Sequence, residues 1–183
     1  MIYGVDSAYP STDPAALRGL GWGFACGYIG GRALHVWTAA DWAAHAAAGL
    51  KLGPIWVAPT GAPPEQVGVD QGNAALVAMQ NLKLAGMVFL DVENGATPRD
   101  YTRGFLDACH AGACAVTLYG SQTTILGIGD LLGAGDAWWL ADWVQSGVPL
   151  RQAPSDWSMW QYSTGPQFDY NVAVDDFPFA VQG

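Results

Sequence analysis

The order of its apolar segments constrains the fold of this chain more than any other feature. Up to about residue 132, short apolar runs typical of strands alternate with segments typical of helices, and this alternation predicts a mostly parallel sheet or barrel. The predicted strands are 2–6, 22–29, 52–57, 87–93 and 113–119, and the predicted helices are 14–20, 38–48, 69–86, 97–112 and 121–132.

Helix starts are marked by capping residues. Thr38 followed by Asp41 is a capping box, Thr97 with Pro98 is typical of a helix N-cap and first turn, and Ser121 is in the right place to begin the last helix. These signals support the predicted helix boundaries.

After residue 132 the pattern changes. Three further strands are predicted at 137–142, 157–162 and 170–174, and the segments between them are too short for helices of normal length. Eight strands are enough to close a barrel filled by its own side chains. We therefore predict one domain over residues 1–183, a TIM-like α/β barrel of five βα units followed by three bare strands. The turn chemistry of 163–166 predicts that the last strand runs antiparallel.

The charge and the cysteines exclude several classes of protein. A net charge of -9 repels phosphate backbones, so we expect no nucleic-acid partner. No apolar run reaches the ~18 residues of a membrane span. Cys109 and Cys114 flank a turn and could be bridged, although two half-buried thiols are the commoner arrangement. No Cys/His cluster has zinc spacing, so we expect neither a metal nor a cofactor.

Acidic residues gather at the ends of predicted strands. Side chains alternate along 87–93. If the apolar Val88, Leu90 and Val92 face the helices, Asp91 and Glu93 face the barrel axis. Asp6 ends the first strand at the same rim. Asp169 begins the last strand and joins this rim if that strand is antiparallel. The carboxyl ends of barrel strands are where barrel enzymes place their chemistry.

Two interpretations of these acids are open. Strand-terminal carboxylates often cap the following loop, which would make them structural. Alternatively, four carboxyl groups at one mouth raise the pKa of at least one of them, which leaves a protonated acid beside an ionised carboxylate. Glycoside hydrolases use such a pair, with one carboxyl group as general acid and the other as an ionised carboxylate.

Aromatic residues favour a glycan ligand more weakly. Tyr28 and Tyr119 come late in their strands and are candidates for the rim. Trp139 and Trp160 belong to the half without helices, where large rings either stack on sugars or fill the core. The same half also contains Trp138, Trp143 and Trp157.

Five motifs in order resemble the lysozymes of glycoside hydrolase family 25. They are Gly4-Val5-Asp6-Ser7, Phe89-Leu90-Asp91-Val92-Glu93, Trp139-Leu140-Ala141-Asp142-Trp143, Trp160-Gln161-Tyr162-Ser163 and Asp169-Tyr170-Asn171-Val172. The Gly27-Tyr28-Ile29 strand, the Gln71-Gly72 pair and the small residues after Asp6 look more like the actinobacterial and phage branch called domain of unknown function 1906.

The resemblance implies roles for the four acids. Glu93 matches the general acid, and Asp91 matches the carboxylate that acts as nucleophile or assists the acetamido group of the substrate. Asp6 and Asp169 match flanking acids that orient the substrate and tune the other groups. The implied activity is cleavage of peptidoglycan after N-acetylmuramic acid, as in an endolysin.

A noncatalytic alternative stays open at this point: a glycan-binding or structural module of a phage virion or secretion assembly with the same fold. The chain begins without the basic end and apolar stretch of a secretory signal. We therefore expect a monomer that contacts the cell wall after lysis, injection or non-classical release, and that has no membrane partner.

Overall fold

The computed structural model describes residues 1–61, 63–93, 99–141 and 158–183. The strands are β1 (Ile2–Asp6), β2 (Phe24–Gly31), β3 (Lys51–Val57), β4 (Leu84–Ala85), β5 (Met87–Asp91), β6 (Ala115–Ser121), β7 (Ala137–Ala141), β8 (Met159–Thr164), β9 (Asp169–Ala173) and β10 (Val181–Gln182). The helices are α1 (Pro14–Gly19), α2 (Ala39–Ala47), α3 (Glu65–Asn81), α4 (Arg99–Ala111) and α5 (Gln122–Ile128), the last continued by a 3-10 turn, Gly129–Leu131.

Eight strands form a closed barrel in the order β1-β2-β3-β5-β6-β7-β8-β9. Neighbouring strands are parallel from β1 to β8, and β9 closes the barrel antiparallel to both β8 and β1. The predicted α/β barrel with five βα units, three further strands and an antiparallel last strand is therefore confirmed, and the connection between β7 and β8 lies outside the described residues.

The apolar residues of the barrel separate into an inner and an outer set, as the alternation along the strands predicts. Val88, Leu90 and Val92 lie in the cluster between the barrel and the helices, whereas Phe89 lies in the inner cluster. Asp91 follows Phe89 by two positions, so the inward direction of its side chain comes from the strand itself.

The C-terminal segment fills the barrel end opposite the rim where β1 and β5 finish. Phe179 packs on Phe24 with ring centroids 4.9 Å apart, and Phe177 packs on Phe89 at 5.8 Å. The two-residue strands β4 and β10 pair beside this segment. Neither strand was predicted from the sequence, because a strand of two residues has no recognisable periodicity.

Helix α3 begins and ends earlier than the predicted 69–86. It begins at Glu65 and ends at Asn81. Lys83 has a positive φ of 58°, which stops the helix, and the two residues after it form β4 instead. The early start brings Gly68 against helix α4, where a Cβ would lie 2.1 Å from the carbonyl oxygen of Tyr101.

The predicted caps at Thr38 and Ser121 are confirmed. The Thr38 hydroxyl accepts from the backbone N–H of Asp41, the Asp41 carboxylate accepts from the backbone N–H of Thr38, and Ser121 caps α5 through Thr124. The interpretations of Thr97, Pro98, Asp142, Trp143 and Trp157 fall outside the described residues.

Other features of the described ranges concern the cysteines, metals and membranes. Cys26, Cys109 and Cys114 are buried free thiols, so Cys109 and Cys114 are not bridged. In those ranges no group of three His, Cys, Asp or Glu side chains could hold a metal ion. No helix there is long and apolar enough to cross a membrane.

Candidate active site

The strands bring four carboxyl groups to one rim of the barrel. Asp6 is the last residue of β1 and Asp169 the first of β9, and the antiparallel register pairs them directly. Asp91 is the last residue of β5, and Glu93 follows two positions later. The four groups are close enough to interact electrostatically. The charges of Asp169 and Asp91 raise the pKa of Asp6, and the charge of Glu93 raises the pKa of Asp169.

Asp6 lies at the bottom of this mouth. It is buried, and its Oδ2 accepts hydrogen bonds from Asn171 Nδ2 at 2.7 Å and from Gln161 Nε2 at 2.9 Å. Burial raises the pKa of Asp6 to about 7. The negative charges of Asp169 and Asp91 act in the same direction, and the two amide hydrogen bonds oppose them.

Asp91 is buried too, with 7% of its surface exposed. Its Oδ1 accepts a hydrogen bond of 2.9 Å from the backbone N–H of Glu93, so one oxygen does have the structural role of a strand-end acceptor. Among the described residues no donor reaches the other oxygen. Burial, and to a smaller extent the charge of Glu93, raises the pKa of Asp91 to about 6.

Glu93 is the exposed acid of the group. Its position beyond the end of β5 turns the side chain toward solvent, and its Oε2 lies 3.2 Å from the Tyr119 hydroxyl. Asp169 is half-buried. Its burial is the larger cause, and the charge of Glu93 the smaller cause, of a raised pKa of the Asp169 carboxyl group. The site thus combines an accessible carboxyl group with buried carboxyl groups that hold protons at a higher pH than usual.

Two of the four aromatic candidates lie at the mouth. Tyr28 is half-buried and faces the acids: burial and then the charges of Asp6, Asp91, Asp169 and Glu93 raise its pKa. Tyr119 lies beneath Glu93 with its hydroxyl directed to the site.

Trp139 and Trp160 do not present a ring to a ligand. Trp139 is fully buried inside the barrel, 4.3 Å from Tyr119 between ring centroids, and its indole N–H donates to Asn171. Trp160 is buried and alternates with the inward-facing Gln161, so it lies on the outer face of β8. The structure therefore does not support the prediction that these two tryptophans contact substrate.

Gln161 and Asn171 are two site residues that were not predicted from the sequence. Both are buried in the barrel and both bind Asp6. The sequence pattern that could have identified them is a polar residue at an inward-facing strand position. Gln161 is two residues from the inward Met159, and Asn171 is two residues from Asp169.

A groove of about 470 Å³ adjoins the mouth. It lies between the connection from β1 to α1 and the hairpin from β8 to β9. Its walls include Ser7, directly after Asp6, and Phe168, directly before Asp169. Tyr9 is on its edge with 67% of its surface exposed, and its ring packs against His35 at a tilt of 34°.

Comparison with known proteins identifies the fold. No protein-family model and no curated protein matches the chain. An uncharacterized protein of B. stearothermophilus superposes with a TM-score of 0.78 at 19% identity, covering 97% of this chain and 100% of the other.

Two solved structures with named activities share the fold as well. The catalytic domain of an endolysin from a bacteriophage of Listeria monocytogenes has a TM-score of 0.73 at 17% identity and covers 97% of this chain and 95% of its own. The bacterial lysozyme from Streptomyces coelicolor has a TM-score of 0.68 at 19% identity, with coverages of 94% and 92%. At these identities the likeness shows a shared fold, and function has to be argued from the site.

Proposed function

We propose that this protein is a glycoside hydrolase that acts on the glycan of bacterial cell walls, as a muramidase does. The observation that carries the proposal is one mouth in which the exposed carboxyl group of Glu93 stands beside the buried carboxyl group of Asp91 at the end of β5. Glycoside hydrolysis needs such a pair of carboxyl groups with separate environments. The lysozyme and endolysin with the same fold support the choice of substrate.

Glu93 is the proposed general acid. Its carboxyl group is accessible, so it can protonate the glycosidic oxygen as the bond from that oxygen to the sugar C1 breaks. The electron pair of the broken bond leaves with the oxygen, which carries the proton from Glu93.

Asp91 is the proposed partner at the sugar C1. Its Oδ2 is the oxygen that no described residue binds, so it can either attack C1 or steady the acetamido group of the substrate while that group attacks. Water then completes hydrolysis with the Glu93 carboxylate as base.

The remaining groups position these two acids and the substrate. Asp6 is buried and acts through its amide partners, whereas the half-buried Asp169 and Tyr28 are open to the mouth and can contact sugar hydroxyls. The adjoining groove between Ser7 and Phe168 offers room for the glycan to continue beyond the site of cleavage. No step of this chemistry needs a cofactor.

We also infer to which group of glycoside hydrolases the chain belongs. The motifs around Asp6, Asp91 and Asp169 favour the family 25 lysozymes and, within that superfamily, the 1906 branch. A monomeric enzyme of a phage or actinobacterium that meets the wall after lysis, injection or non-classical release fits these motifs.

The decisive experiment compares wild type with Glu93→Gln on purified cell walls of several bacteria. Turbidity loss together with release of reducing sugar should be seen for wild type. Glu93→Gln keeps the shape of the side chain but has no proton to transfer, so the rate should fall about a hundredfold or more while glycan binding persists.

The chain offers a matched control for this substitution. Glu65 is an exposed glutamate in the first turn of α3, 3.8 Å from Arg103, and Glu65→Gln should leave the rate unchanged. If wild type binds wall glycan and releases no reducing sugar from any wall tested, the enzymatic proposal is wrong.

A noncatalytic glycan-binding or structural module is the second candidate. The backbone hydrogen bond of Asp91 favours it, because that bond gives one oxygen of the carboxylate a structural use. Under this alternative, wild type and Glu93→Gln bind glycan equally and neither cleaves it.

A further inference from the structure

A hydrogen-bond chain with a fixed direction runs through the barrel below Glu93. It begins at Trp139, whose indole nitrogen can only donate and lies 2.9 Å from Asn171 Oδ1. This contact fixes the amide of Asn171, so its NH₂ group faces Asp6 Oδ2 at 2.7 Å. The Asn171 amide also donates to the carbonyl oxygen of Asp169 at 3.2 Å.

Gln161 continues the chain from Asp6 to Tyr119. Its Nε2 donates to Asp6 Oδ2 at 2.9 Å, which leaves the amide oxygen directed toward the Tyr119 hydroxyl at 2.8 Å. The opposite orientation of the amide would put an oxygen against Asp6 Oδ2, which already acts as the acceptor of the Asn171 hydrogen bond. The acceptor beside Tyr119 is therefore set by Asp6, although Asp6 does not touch Tyr119.

The Tyr119 hydroxyl has one proton and two neighbouring acceptors. Gln161 Oε1 is at 2.8 Å and Glu93 Oε2 at 3.2 Å. When Glu93 is protonated, its Oε2 needs no donor, and Tyr119 donates to the nearer acceptor, Gln161 Oε1. When Glu93 is ionised, it has no proton to donate, and the contact persists only if Tyr119 donates to it.

We propose that Tyr119 is a positioning residue whose hydroxyl turns from Gln161 to Glu93 when Glu93 gives up its proton. The inference rests on the proposed role of Glu93 and extends it to a third residue. The proton of Glu93 goes to the glycosidic oxygen, and the bonding electron pair leaves with that oxygen. Tyr119 keeps its own proton throughout, and only the torsion of its O–H bond changes.

The surroundings of Tyr119 suit this role. The ring is buried and packs on Trp139, so the oxygen is a fixed point under an exposed side chain. Burial and the charges of Glu93, Asp6 and Asp91 raise the pKa of Tyr119, which keeps it a neutral phenol. It can therefore serve both protonation states of Glu93 without a change in its own charge.

Neutron diffraction from deuterated crystals tests the turn directly and needs no activity. At a pH where Glu93 is protonated, the Tyr119 deuterium should point to Gln161. At a pH where Glu93 is ionised, it should point to Glu93. A deuterium that points to the same acceptor in both crystals overturns the proposal, whether or not the protein cleaves glycan.

Kinetics of Tyr119→Phe separate this role from a merely structural one. The variant keeps the ring and its packing, so kcat on peptidoglycan should fall about tenfold with little change in KM, the scale of one hydrogen bond to a charged group. A chito-oligosaccharide with a dinitrophenyl leaving group needs no proton, so its cleavage should be nearly unchanged.

The comparison of the two substrates has a clear opposite outcome. If Tyr119→Phe slows both to the same extent, the hydroxyl does not act through the acid step and the proposal is wrong. If wild type cleaves neither substrate, the proposed function fails instead, and the neutron experiment still decides how the Tyr119 hydroxyl behaves.

Discussion

Asp6 and Asp169 are direct partners in the antiparallel pair of β1 and β9, so the end of one strand and the start of the other place two carboxyl groups side by side. Burial raises the pKa of both, and the charge of Asp169 contributes to the shift at Asp6. Ionising this rim therefore works against the folded state, and the effect should be measurable as a dependence of stability on pH.

The first prediction is the sign of that dependence. Asp6 and Asp91 titrate near pH 7 and pH 6 in the folded protein, against 3.8 for an ordinary aspartate. Between about pH 4 and pH 7 the folded state binds protons that the unfolded state has lost. The contribution of these two groups to the free energy of unfolding should therefore decrease as pH rises through this window.

Asp91→Asn isolates one part of this effect. The amide oxygen of the substituted side chain can still accept from the Glu93 N–H, but the buried charge is gone. The melting temperature should rise or hardly change near pH 7, and the difference from wild type should shrink toward pH 4. His45 titrates in the opposite sense, because burial lowers its pKa, but it is common to both proteins and cancels in the difference.

The exposed substitution Asp70→Asn is the control for Asp91→Asn and should change the free energy of unfolding by less than about 0.5 kcal/mol. A loss of several degrees for Asp91→Asn at neutral pH would show instead that the carboxylate holds the strand end through its charge.

The second prediction concerns the contact between α3 and α4. A Cβ at Gly104 would lie 2.2 Å from the carbonyl oxygen of Glu65, which is backbone and cannot turn away. Gly104→Ala should therefore lower the free energy of unfolding by about 2 kcal/mol or more. Gly127→Ala in α5 meets nothing within 4 Å and should raise it by up to about 1 kcal/mol, the usual helix preference for alanine. If Gly104→Ala and Gly127→Ala changed the free energy of unfolding in urea equally, the close contact at Gly104 would not limit stability.

The architecture was predictable because its signals are local. Alternation of apolar residues places Phe89 inside and Leu90 outside the barrel, and the turn residues at 163–166 predict the antiparallel last strand. The packing of Phe177 and Phe179 against the inner cluster was not predictable. This packing depends on the path of the chain after β9, which is set by contacts between residues that are distant in the sequence.

The candidate site was predictable in its acids and less so in their partners. A carboxylate at a strand end is unusual enough to attract notice, whereas Gln161 and Asn171 are ordinary polar residues until their strands are known to face Asp6. Trp139 shows the reverse error. The aromatic ring of Trp139 favoured a role in stacking on sugars. In the structure the ring faces the barrel interior, and the indole N–H donates a buried hydrogen bond to Asn171.

The third prediction tests the closure of the barrel by its C-terminal segment. Phe177 is 3% exposed and packs on Phe89 and Phe179. Phe177→Ala should lower the free energy of unfolding by about 3 kcal/mol or more, as large cavities do. Val181→Ala, at a residue with 61% of its surface exposed, should have little effect. Similar denaturant midpoints for the two variants would show that the segment contributes little to the core.

The last prediction concerns Asn171, which is fully buried between Trp139 and Asp6. Asn171→Leu keeps much of the volume but leaves the indole N–H without an acceptor and removes one of the two amide donors of Asp6. Because each buried polar group left without a partner costs about 1–3 kcal/mol, unfolding in urea should show a loss of about 3 kcal/mol. The Asn171 hydrogen bond also lowers the pKa of Asp6, so NMR titration of the Asp6 carboxyl carbon should show its pKa moving further up. Asn73→Leu, on the exposed side of α3, is the matched control and should be close to neutral. An unchanged titration of Asp6 in the folded Asn171→Leu variant would show that the amide does not stabilise the carboxylate.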